Sequence, residues 1–267
     1  MTEWSDFQSA RPQYEADGFY ITQKPLFPQA LIADAIAGMD AIRRGEYDTG
    51  RPPCPSVWNP GDDPDRLCKI ENPQFASRAV RALLRYPALG TLAAALTGAT
   101  MVQVWWVQLL YKPPAKDDSA VSNIGWHQDR QYWGVWEEGS ELFTAWIALS
   151  DVTEQSGPMR FVRGSHRWGV LPQGDFFAQD LDALRAQMDV PPGALWEEVP
   201  ALLPPGGVSV HHCLTLHGSG PNQTDRPRRS FAVHLRTQNA RPVNRERRGL
   251  TEFIDDPELC PIIYGHL

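Results

Sequence analysis

The spacing of hydrophobic and polar positions is helical in the first hundred residues and strand-like after them. Residues 26–47, LFPQALIADAIAGMDAIRRGEY, carry apolar side chains three and four positions apart after an early proline, which predicts one helix. Residues 76–98, ASRAVRALLRYPALGTLAAALTG, predict two helices, because Pro87 ends the first and Gly98 suits the end of the second. Between them, residues 51–66 are rich in proline, glycine and aspartate and predict a long irregular loop, of a kind that often covers or binds ligands.

From residue 101 onward, β-branched and aromatic residues dominate segments that are separated by turn residues. These segments are MVQVWWVQLLY, ELFTAWIALSDV, MRFVRGSH, GGVSVHHCLTLH and RRSFAVHLRTQ, with a short helical insertion at AQDLDALRAQM. The pattern predicts a mainly β protein with flanking helices and an antiparallel jelly-roll core. We expect one domain over residues 1–267, with residues 1–100 as mostly helical support carrying the Pro-rich loop and residues 101–240 as the jelly roll.

Composition and charge narrow the class of protein. The chain of 267 residues is 42% hydrophobic and 21% charged, which is ordinary for a globular protein with a large core. Its net charge of −7 argues against nucleic acids or an anionic membrane surface as partners. No apolar stretch approaches the ~20 residues of a membrane span, and the acidic N-terminal segment does not resemble a signal peptide. The four cysteines lie far apart without a C-x-x-C motif, so we expect reduced thiols and a cytoplasmic protein.

The segment GWHQDRQYW, residues 125–133, contains a candidate pair of metal ligands. His127 and Asp129 are two positions apart, and on a β-strand such residues point to the same face. The alternative is a solvent-facing strand edge or turn. The best candidate for a third ligand is His217, where the segment VSVHHCLTLH runs into a glycine-rich turn. Two imidazoles and one carboxylate form the facial triad of non-heme Fe(II) oxygenases, although ligand types alone also permit zinc.

The other histidines of the β-region are expected to be structural. His212 is an odd number of positions from His217 and should face the opposite side of a strand. His211 shares the parity of His217 but would lie about 20 Å away on an extended strand. His166 falls in a GSH turn and His234 in a predicted strand, and neither is expected to bind metal.

Arg228 could hold an anion beside this site. It follows His217 by eleven positions, a separation that can return the chain on a neighbouring strand. A guanidinium placed there can bind a carboxylate through two parallel hydrogen bonds. Ser219, two positions after His217, could add a hydroxyl donor. Arg226 and Arg229 are expected to be solvated surface charges.

These motifs, taken together, resemble the phytanoyl-CoA dioxygenase family of Fe(II)/2-oxoglutarate-dependent oxygenases. The resemblance rests on GWHQD, TAWIALSDVTEQSGPMRFVRGSH and GGVSVHHCLTLHGSGPN followed by RPRRSF, in the family's order. It extends back to YEADGFYI and ALGTLAAALTGATM and so covers nearly all of the chain. Arg163 stands where many relatives have proline, and the Pro-rich loop at residues 51–66 has no recognisable counterpart.

The resemblance implies a fold, a metal and residue roles. The fold is a double-stranded β-helix, the cupin-like form of the jelly roll. His127, Asp129 and His217 match the Fe(II) ligands, and 2-oxoglutarate and O2 are the implied cosubstrates. Cosubstrate-binding positions are matched by Arg228, at the distal carboxylate, and by Trp146, Ser219, Lys69 and Gln108. Three aromatic residues of the metal motif could form a substrate wall, with core packing as the alternative for each: Trp126, Tyr132 and Trp133.

The leading hypothesis is therefore an Fe(II)- and 2-oxoglutarate-dependent dioxygenase. It would hydroxylate, desaturate or epoxidise a small organic metabolite and release succinate and CO2. Asp129 argues against halogenation, because halogenating relatives lack the carboxylate ligand. Two other classes stay open: a zinc-dependent hydrolase or isomerase on a cupin-like barrel, and a non-catalytic jelly-roll binding protein. The sequence does not indicate an oligomeric state.

Overall fold

Two antiparallel β-sheets form the framework of the protein. The computed structural model describes residue 7, residues 10–115 and residues 122–266. The strands of this part are β1 (Phe19–Ile21), β2 (Cys68–Glu71), β3 (Met101–Lys112), β4 (Ile124–His127), β5 (Leu142–Ala148), β6 (Met159–Val162), β7 (Glu198–Pro200), β8 (Val208–His212), β9 (His217–Ser219), β10 (Arg228–Thr237) and β11 (Ile262–Gly265). The larger sheet has the order β1-β8-β5-β10-β3-β11, with β2 also paired to β3, and the smaller has the order β4-β9-β6-β7.

The helices lie mainly before the long strand β3. They are α1 (Ala10–Asp17), α2 (Gln29–Arg43), α3 (Arg78–Leu84) and α4 (Pro87–Thr97), with α5 (Leu181–Ala186) in the connection between β6 and β7. Apolar side chains of the first four helices share one buried cluster with the outer face of the larger sheet. Within the described ranges, no helix combines the length and the apolar character that crossing a bilayer requires.

The alternation of side chains along the strands separates the core from the site. In β10, Phe231, Val233 and Leu235 point to the helices and belong to the main core. The intervening residues Ala232 and His234 point to the smaller sheet, where they line a cavity. The period of two along a strand thus gives the larger sheet one apolar face and one face that can carry polar groups.

The predicted fold class is confirmed: the structure is mainly β, with flanking helices and two packed antiparallel sheets. The helical patterns at residues 26–47 and 76–98 correspond to α2, α3 and α4. Every strand-like segment proposed after residue 101 contains at least one strand. The first hundred residues, however, also contribute β1 and β2 to the larger sheet, so they are more than helical support.

Two local expectations were wrong, and both concern the site. The segment VSVHHCLTLH is not extended throughout, because β8 ends at His212 and the chain turns over residues 213–216 before entering the other sheet at His217. Asp129 does not lie on a strand, since β4 ends at His127 and Asp129 begins a 3-10 turn.

The Pro-rich segment at residues 51–66 is irregular, as predicted, apart from an isolated bridge between Cys54 and Glu71. Its Trp58 is buried beside the guanidinium of Arg43 on α2. No residue of this segment lines the cavity between the sheets. The loop therefore packs partly against α2 and partly against β2, without entering the cavity.

Candidate metal centre and adjoining cavity

Two histidines face each other across neighbouring strands of the smaller sheet. The pairing of β4 with β9 places His127 directly opposite His217, with ring centroids 4.1 Å apart. Nδ1 of His127 lies 2.8 Å from the carbonyl oxygen of Gly125, and Nδ1 of His217 lies 2.9 Å from that of Thr215. Each Nδ1 therefore carries the proton and donates it to a carbonyl, which leaves Nε2 with a free lone pair. Proteins commonly orient metal-binding imidazoles in this way.

Asp129 brings a carboxylate to the same point. Its 3-10 turn follows β4 directly, and its Oδ1 lies 3.9 Å from Nε2 of His127 and 3.8 Å from Nε2 of His217. The three ligand-type atoms lie within 4.8 Å of one another, and all three residues are buried. Two imidazole nitrogens and one carboxylate oxygen at this spacing can occupy one face of a divalent metal ion.

Residues of the larger sheet bind the second carboxylate oxygen of Asp129 through hydrogen bonds. Oδ2 accepts hydrogen bonds from Oγ1 of Thr144 at 2.6 Å and from Nε2 of His211 at 3.1 Å. Thr144 Oγ1 in turn lies 2.9 Å from Nδ1 of His234. His211, Thr144 and His234 stand in register across β8, β5 and β10, so they form one row beneath the carboxylate. This row fixes Oδ2 and leaves Oδ1 to face His127 and His217.

Burial sets the protonation states that a metal site requires. It lowers the pKa of His127, and it lowers the pKa of His217 well below the ordinary value; protonation of the neighbouring His127 would lower the pKa of His217 further. Burial alone would raise the pKa of Asp129, but the hydrogen bond from His211 and the surrounding imidazoles offset it and hold that pKa well below its usual range. The site therefore presents neutral imidazoles and an ionised carboxylate, the forms in which these groups bind metals.

Arg228 lies at the opposite end of the cavity and is only 2% exposed. Its Nη1 donates to Oγ of Ser219 at 3.2 Å and to the carbonyl oxygen of Gly157, and its Nε is buried without a partner. Its guanidinium carbon lies 5.1 Å from the centroid of the Trp146 ring. Burial lowers the pKa of Arg228 to about 10, so the side chain is still a cation at neutral pH. A buried guanidinium with an unused N–H is suited to an anion that enters the cavity.

The cavity between Arg228 and the three ligand-type residues has a volume of about 370 Å³. Aromatic side chains form much of its wall: Trp106, Tyr132, Trp133, Phe176 and Phe177. Cavities of this size that combine an apolar wall with a few polar groups are typical small-molecule sites.

Lys69 and Gln108 add polar groups to the cavity wall. Nζ of Lys69 lies 2.8 Å from Oε1 of Glu71, whose other oxygen accepts a hydrogen bond from the Trp106 indole at 2.5 Å. The same ammonium lies 4.9 Å from the centroid of the Phe176 ring. Lys69 is therefore partnered by a neighbouring carboxylate of β2 rather than free, which its sequence context did not indicate.

The structure brings most of the predicted site residues to one cavity. The lining includes His127, Asp129, His217, Arg228, Ser219, Trp146, Lys69, Gln108, Tyr132 and Trp133. Trp126 is the exception: its ring packs against Trp196 with centroids 5.1 Å apart, in a separate cluster with Leu184 and Leu216. Because His127 faces the cavity, its neighbour along β4 must face away. Trp126 therefore cannot serve as a wall of the cavity.

His211 was wrongly assigned to a distant structural position. Its ring centroid lies 4.4 Å from that of His217, because the turn after His212 folds the two strands onto each other. The even separation of His211 and His217 in the sequence correctly indicated a common face. The distance was wrong because it assumed that the chain between them is extended. His212 faces away from the cavity, as its parity predicted.

Thr144 and Glu71 are further cavity residues that the sequence did not single out, and His234, which was considered only as a structural histidine, also lines the cavity. Each lies on the inward face of its strand, beside a residue that was singled out: Thr144 and Trp146 share β5, and Glu71 and Lys69 share β2. A period of two counted from the predicted residues would have found them.

Comparison with known proteins identifies relatives of this arrangement. The family model described as phytanoyl-CoA dioxygenase matches residues 14–230. The chain is 28% identical to an ectoine dioxygenase of Bordetella parapertussis over 85% of this chain and 74% of that protein. It is 27% identical to a probable alpha-ketoglutarate-dependent hypophosphite dioxygenase of Stutzerimonas stutzeri over 68% of this chain, and the match spans 62% of that protein's length.

The fold also has a solved counterpart. The epimerase SnoN in complex with Fe3+, alpha ketoglutarate and nogalamycin RO superimposes with a TM-score of 0.70. The superposition covers 95% of this chain and 91% of the epimerase, at 24% identity. At that identity the likeness supports the jelly-roll fold.

Proposed function

The chain belongs to the phytanoyl-CoA dioxygenase family, and from this premise we propose that it is an Fe(II)- and 2-oxoglutarate-dependent dioxygenase. The observation that carries the proposal is the convergence of His127, Asp129 and His217 at one end of a cavity whose other end holds the buried cation of Arg228. This arrangement suits a dicarboxylate such as 2-oxoglutarate. A metal at one end of the cavity can bind its keto-acid group, and the guanidinium at the other end can bind its far carboxylate.

The residues fit a bound Fe(II) ion. Nε2 of His127, Nε2 of His217 and Oδ1 of Asp129 would be the ligands, since their other polar atoms already have partners in the protein. Three ligands on one side leave the remaining positions of an octahedral ion for cosubstrates. When bound, iron supplies the redox chemistry that couples O2 and the decarboxylation of 2-oxoglutarate to succinate and CO2 with oxidation of a second substrate.

The chain's own residues would bind and orient the cosubstrate. Arg228 would pair with the distal carboxylate of 2-oxoglutarate, with the hydroxyl of Ser219 as a neighbouring donor. Trp146, which packs beside the guanidinium, would exclude water from that pair and strengthen it. Lys69 and Gln108, at the side of the cavity, would contact either the cosubstrate or the substrate.

We propose a small organic metabolite as the second substrate and hydroxylation as its reaction. The aromatic wall that includes Tyr132 and Trp133 lies beside the metal ligands and offers apolar contacts to such a molecule. Two relatives are named for reactions of small molecules, ectoine and hypophosphite. The presence of Asp129 disfavours halogenation. We also propose that residues 1–267 form a single catalytic domain and that the protein works in the cytoplasm, where its four free cysteines would stay reduced.

The test is the metal and cosubstrate dependence of the purified protein. Protein prepared without oxygen should bind one Fe(II) per chain, and addition of 2-oxoglutarate should produce a visible metal-to-ligand charge-transfer band. Admission of O2 should then release succinate, faster in the presence of a true substrate. Turnover that requires zinc and never iron would instead establish the hydrolase or isomerase class. Absence of any metal-dependent turnover across a broad substrate panel would favour a binding protein.

A further inference from the structure

Lys112, the last residue of β3, is a fully buried lysine beside the anion-binding end of the cavity. The pairing of β10 with β3 places it directly opposite Arg228. Its Nζ donates to Oγ of Ser219 at 2.6 Å and to the carbonyl oxygen of Gly220 at 2.6 Å. Nη1 of Arg228 donates to the same Ser219 oxygen at 3.2 Å. Two basic side chains therefore meet at one hydroxyl.

Among the described residues, no carboxylate lies within 4.0 Å of either basic group. Two partly buried basic residues elsewhere, Lys69 and Arg229, each have an acidic partner, Glu71 and Asp40. Burying a charge without an opposite charge is costly, and proteins retain such groups where a ligand completes them. The unpartnered Nε of Arg228 is a second sign that this end of the cavity is built for an anion.

Ser219 connects Lys112 with the cavity. Ser219 and Arg228 line the cavity, whereas Lys112 lies behind them. A hydroxyl oxygen has two acceptor sites, and the donors from Lys112 and Arg228 fill both. The Ser219 hydroxyl therefore acts towards any further partner only as a donor. Its Oγ lies 3.0 Å from the carbonyl oxygen of Gly157, and a carboxylate in the cavity could replace that acceptor.

We propose that Lys112 is a positioning residue for the distal carboxylate of 2-oxoglutarate. It holds Ser219 as a hydrogen-bond donor and adds a second positive charge to that of Arg228. Together the three residues select a 2-oxo acid with a distal carboxylate over one without. This inference rests on the proposed function and extends it to a residue that no sequence motif marked.

The electrostatic state of Lys112 agrees with that role. Burial lowers its pKa well below the ordinary value, and the charge of Arg228 lowers it further. A carboxylate at Ser219 would oppose both effects and stabilise the ammonium form. A bound carboxylate would therefore offset the cost that burial and Arg228 impose on the charged form of Lys112.

The experiment compares two 2-oxo acids that share the chelating end. Mn(II)-loaded protein, kept without oxygen, is titrated calorimetrically with 2-oxoglutarate and with 2-oxobutyrate, which lacks the distal carboxylate. Lys112→Met should weaken 2-oxoglutarate binding by about tenfold or more, as expected for loss of a charge-assisted interaction, and should change 2-oxobutyrate binding by less than about twofold. Lys24→Met, at an exposed position, should leave both unchanged.

A parallel loss for both acids would mean that Lys112 only supports the fold, and an unchanged 2-oxoglutarate affinity would also overturn the proposal. Lys112→Gln, which keeps a donor to Ser219 but no charge, should bind 2-oxoglutarate with an affinity between those of wild type and Lys112→Met. It replaces the Met variant if that variant does not fold.

If Lys112 acts through Ser219, the double variant Lys112→Met/Ser219→Ala should lose less binding free energy for 2-oxoglutarate than the two single variants lose in sum. Additive effects would disprove that route. If wild-type protein itself fails to prefer 2-oxoglutarate, the proposed function fails, which is a different result from a normal wild type with an unaffected Lys112 variant.

Discussion

At the scale of single residues, the carboxylate of Asp129 depends on a neighbour that is not a ligand. Thr144 Oγ1 donates to Oδ2 and links the carboxylate to His234. We expect Thr144→Val to weaken Fe(II) or Mn(II) binding roughly 10–100-fold, the usual effect of losing such a supporting hydrogen bond. The measurement is competition with a chelator under anaerobic conditions. Thr91→Val, at a partly exposed position of α4 that does not line the cavity, is the control. Equal affinities for Thr144→Val and wild type would show that the row beneath Asp129 does not orient it.

Substitution of His211, which also binds Oδ2 of Asp129, should likewise weaken metal binding. Its Nε2 donates to Oδ2 of Asp129, so His211→Phe should lower metal affinity although His211 is not a proposed ligand. His212→Asn, at the neighbouring position that faces away from the cavity, should leave metal affinity as it is. A larger loss in the His212 variant would contradict the orientation of β8.

Arg228 distinguishes a 2-oxoglutarate enzyme from other sites with two histidines and a carboxylate. Arg228→Ala should weaken 2-oxoglutarate binding by about 2–5 kcal/mol, because a buried, charge-assisted pair is lost. Arg228→Lys keeps the charge without the fork and should be intermediate. Metal binding should persist in both variants, and Arg226→Ala, at an exposed position, should change little. The charge-transfer band of the anaerobic Fe(II) protein measures the affinity, and an unchanged titration for Arg228→Ala would place the anchor elsewhere.

The residues that could be predicted from the sequence are those with distinctive chemistry at recognisable spacing. His127, Asp129, His217 and Arg228 belong to this class. Lys112 could not be predicted, because a lysine at the end of a strand is ordinarily solvated, and only the pairing of β3 with β10 shows that it is buried. His211 was lost through an assumed distance rather than through its parity.

At the scale of elements, Gly125 determines how closely the segment of residues 175–178 packs against β4. Its N–H donates to the carbonyl oxygen of Phe176 at 3.0 Å, and a Cβ at this position would overlap the carbonyl oxygen of Asp175. Gly125→Ala should therefore push the segment of the cavity wall away and destabilise the protein by about 1–3 kcal/mol, the usual cost of overpacking. Gly134→Ala, where no heavy atom lies within 4 Å of the added carbon, is the matched control. Urea unfolding of both variants decides the matter, and equal stabilities would mean that the close approach has no energetic role.

Helices and strands marked by their own residues could be predicted from the sequence. Elements whose position depends on pairing with distant segments could not. Helix α4 begins at Pro87 and ends before Gly98, whose φ of 73° is accessible to glycine at little cost. Strands β1, β2 and β11 have only three or four residues each, too few for an alternating pattern to stand out. The turn between β8 and β9 follows from the packing of two sheets, which no short segment encodes.

At the scale of the whole molecule, net charge is a poor guide to the ligand of a buried site. The chain carries a net charge of −7, yet one end of its cavity has two buried basic side chains, Lys112 and Arg228. Surface acids are screened by solvent, whereas charges inside the cavity act at short range in a medium of low polarity. An acidic protein can therefore bind a dianion, provided that the sheet topology concentrates its few buried cations at one point.

The pH dependence of stability also belongs to the whole chain, because it compares the folded and unfolded states. Burial lowers the pKa of His212 to about 4, while the unfolded chain should keep a value near 6.5. Between these values the unfolded state binds more protons than the folded state, so stability falls as the pH drops from about 6.5 towards 4 and is unaffected by this group at higher pH. The contribution of His212 should be about 2 kcal/mol between pH 7.5 and pH 5.

Urea unfolding of metal-free protein at pH 7.5 and pH 5 tests this expectation. His212→Asn keeps an acceptor for the N–H of Leu214, which His212 Nδ1 accepts at 3.1 Å, but it cannot take up a proton. The variant should therefore lose about 2 kcal/mol less stability than wild type over this pH interval, with the same dependence on urea concentration at both pH values. The other buried histidines, His234 among them, remain in both proteins, so their effect cancels in the comparison. If wild type and His212→Asn lose stability in parallel, His212 is protonated as readily in the folded chain as in the unfolded one. Acid sensitivity would then have to originate at the proposed metal ligands and the row that supports Asp129.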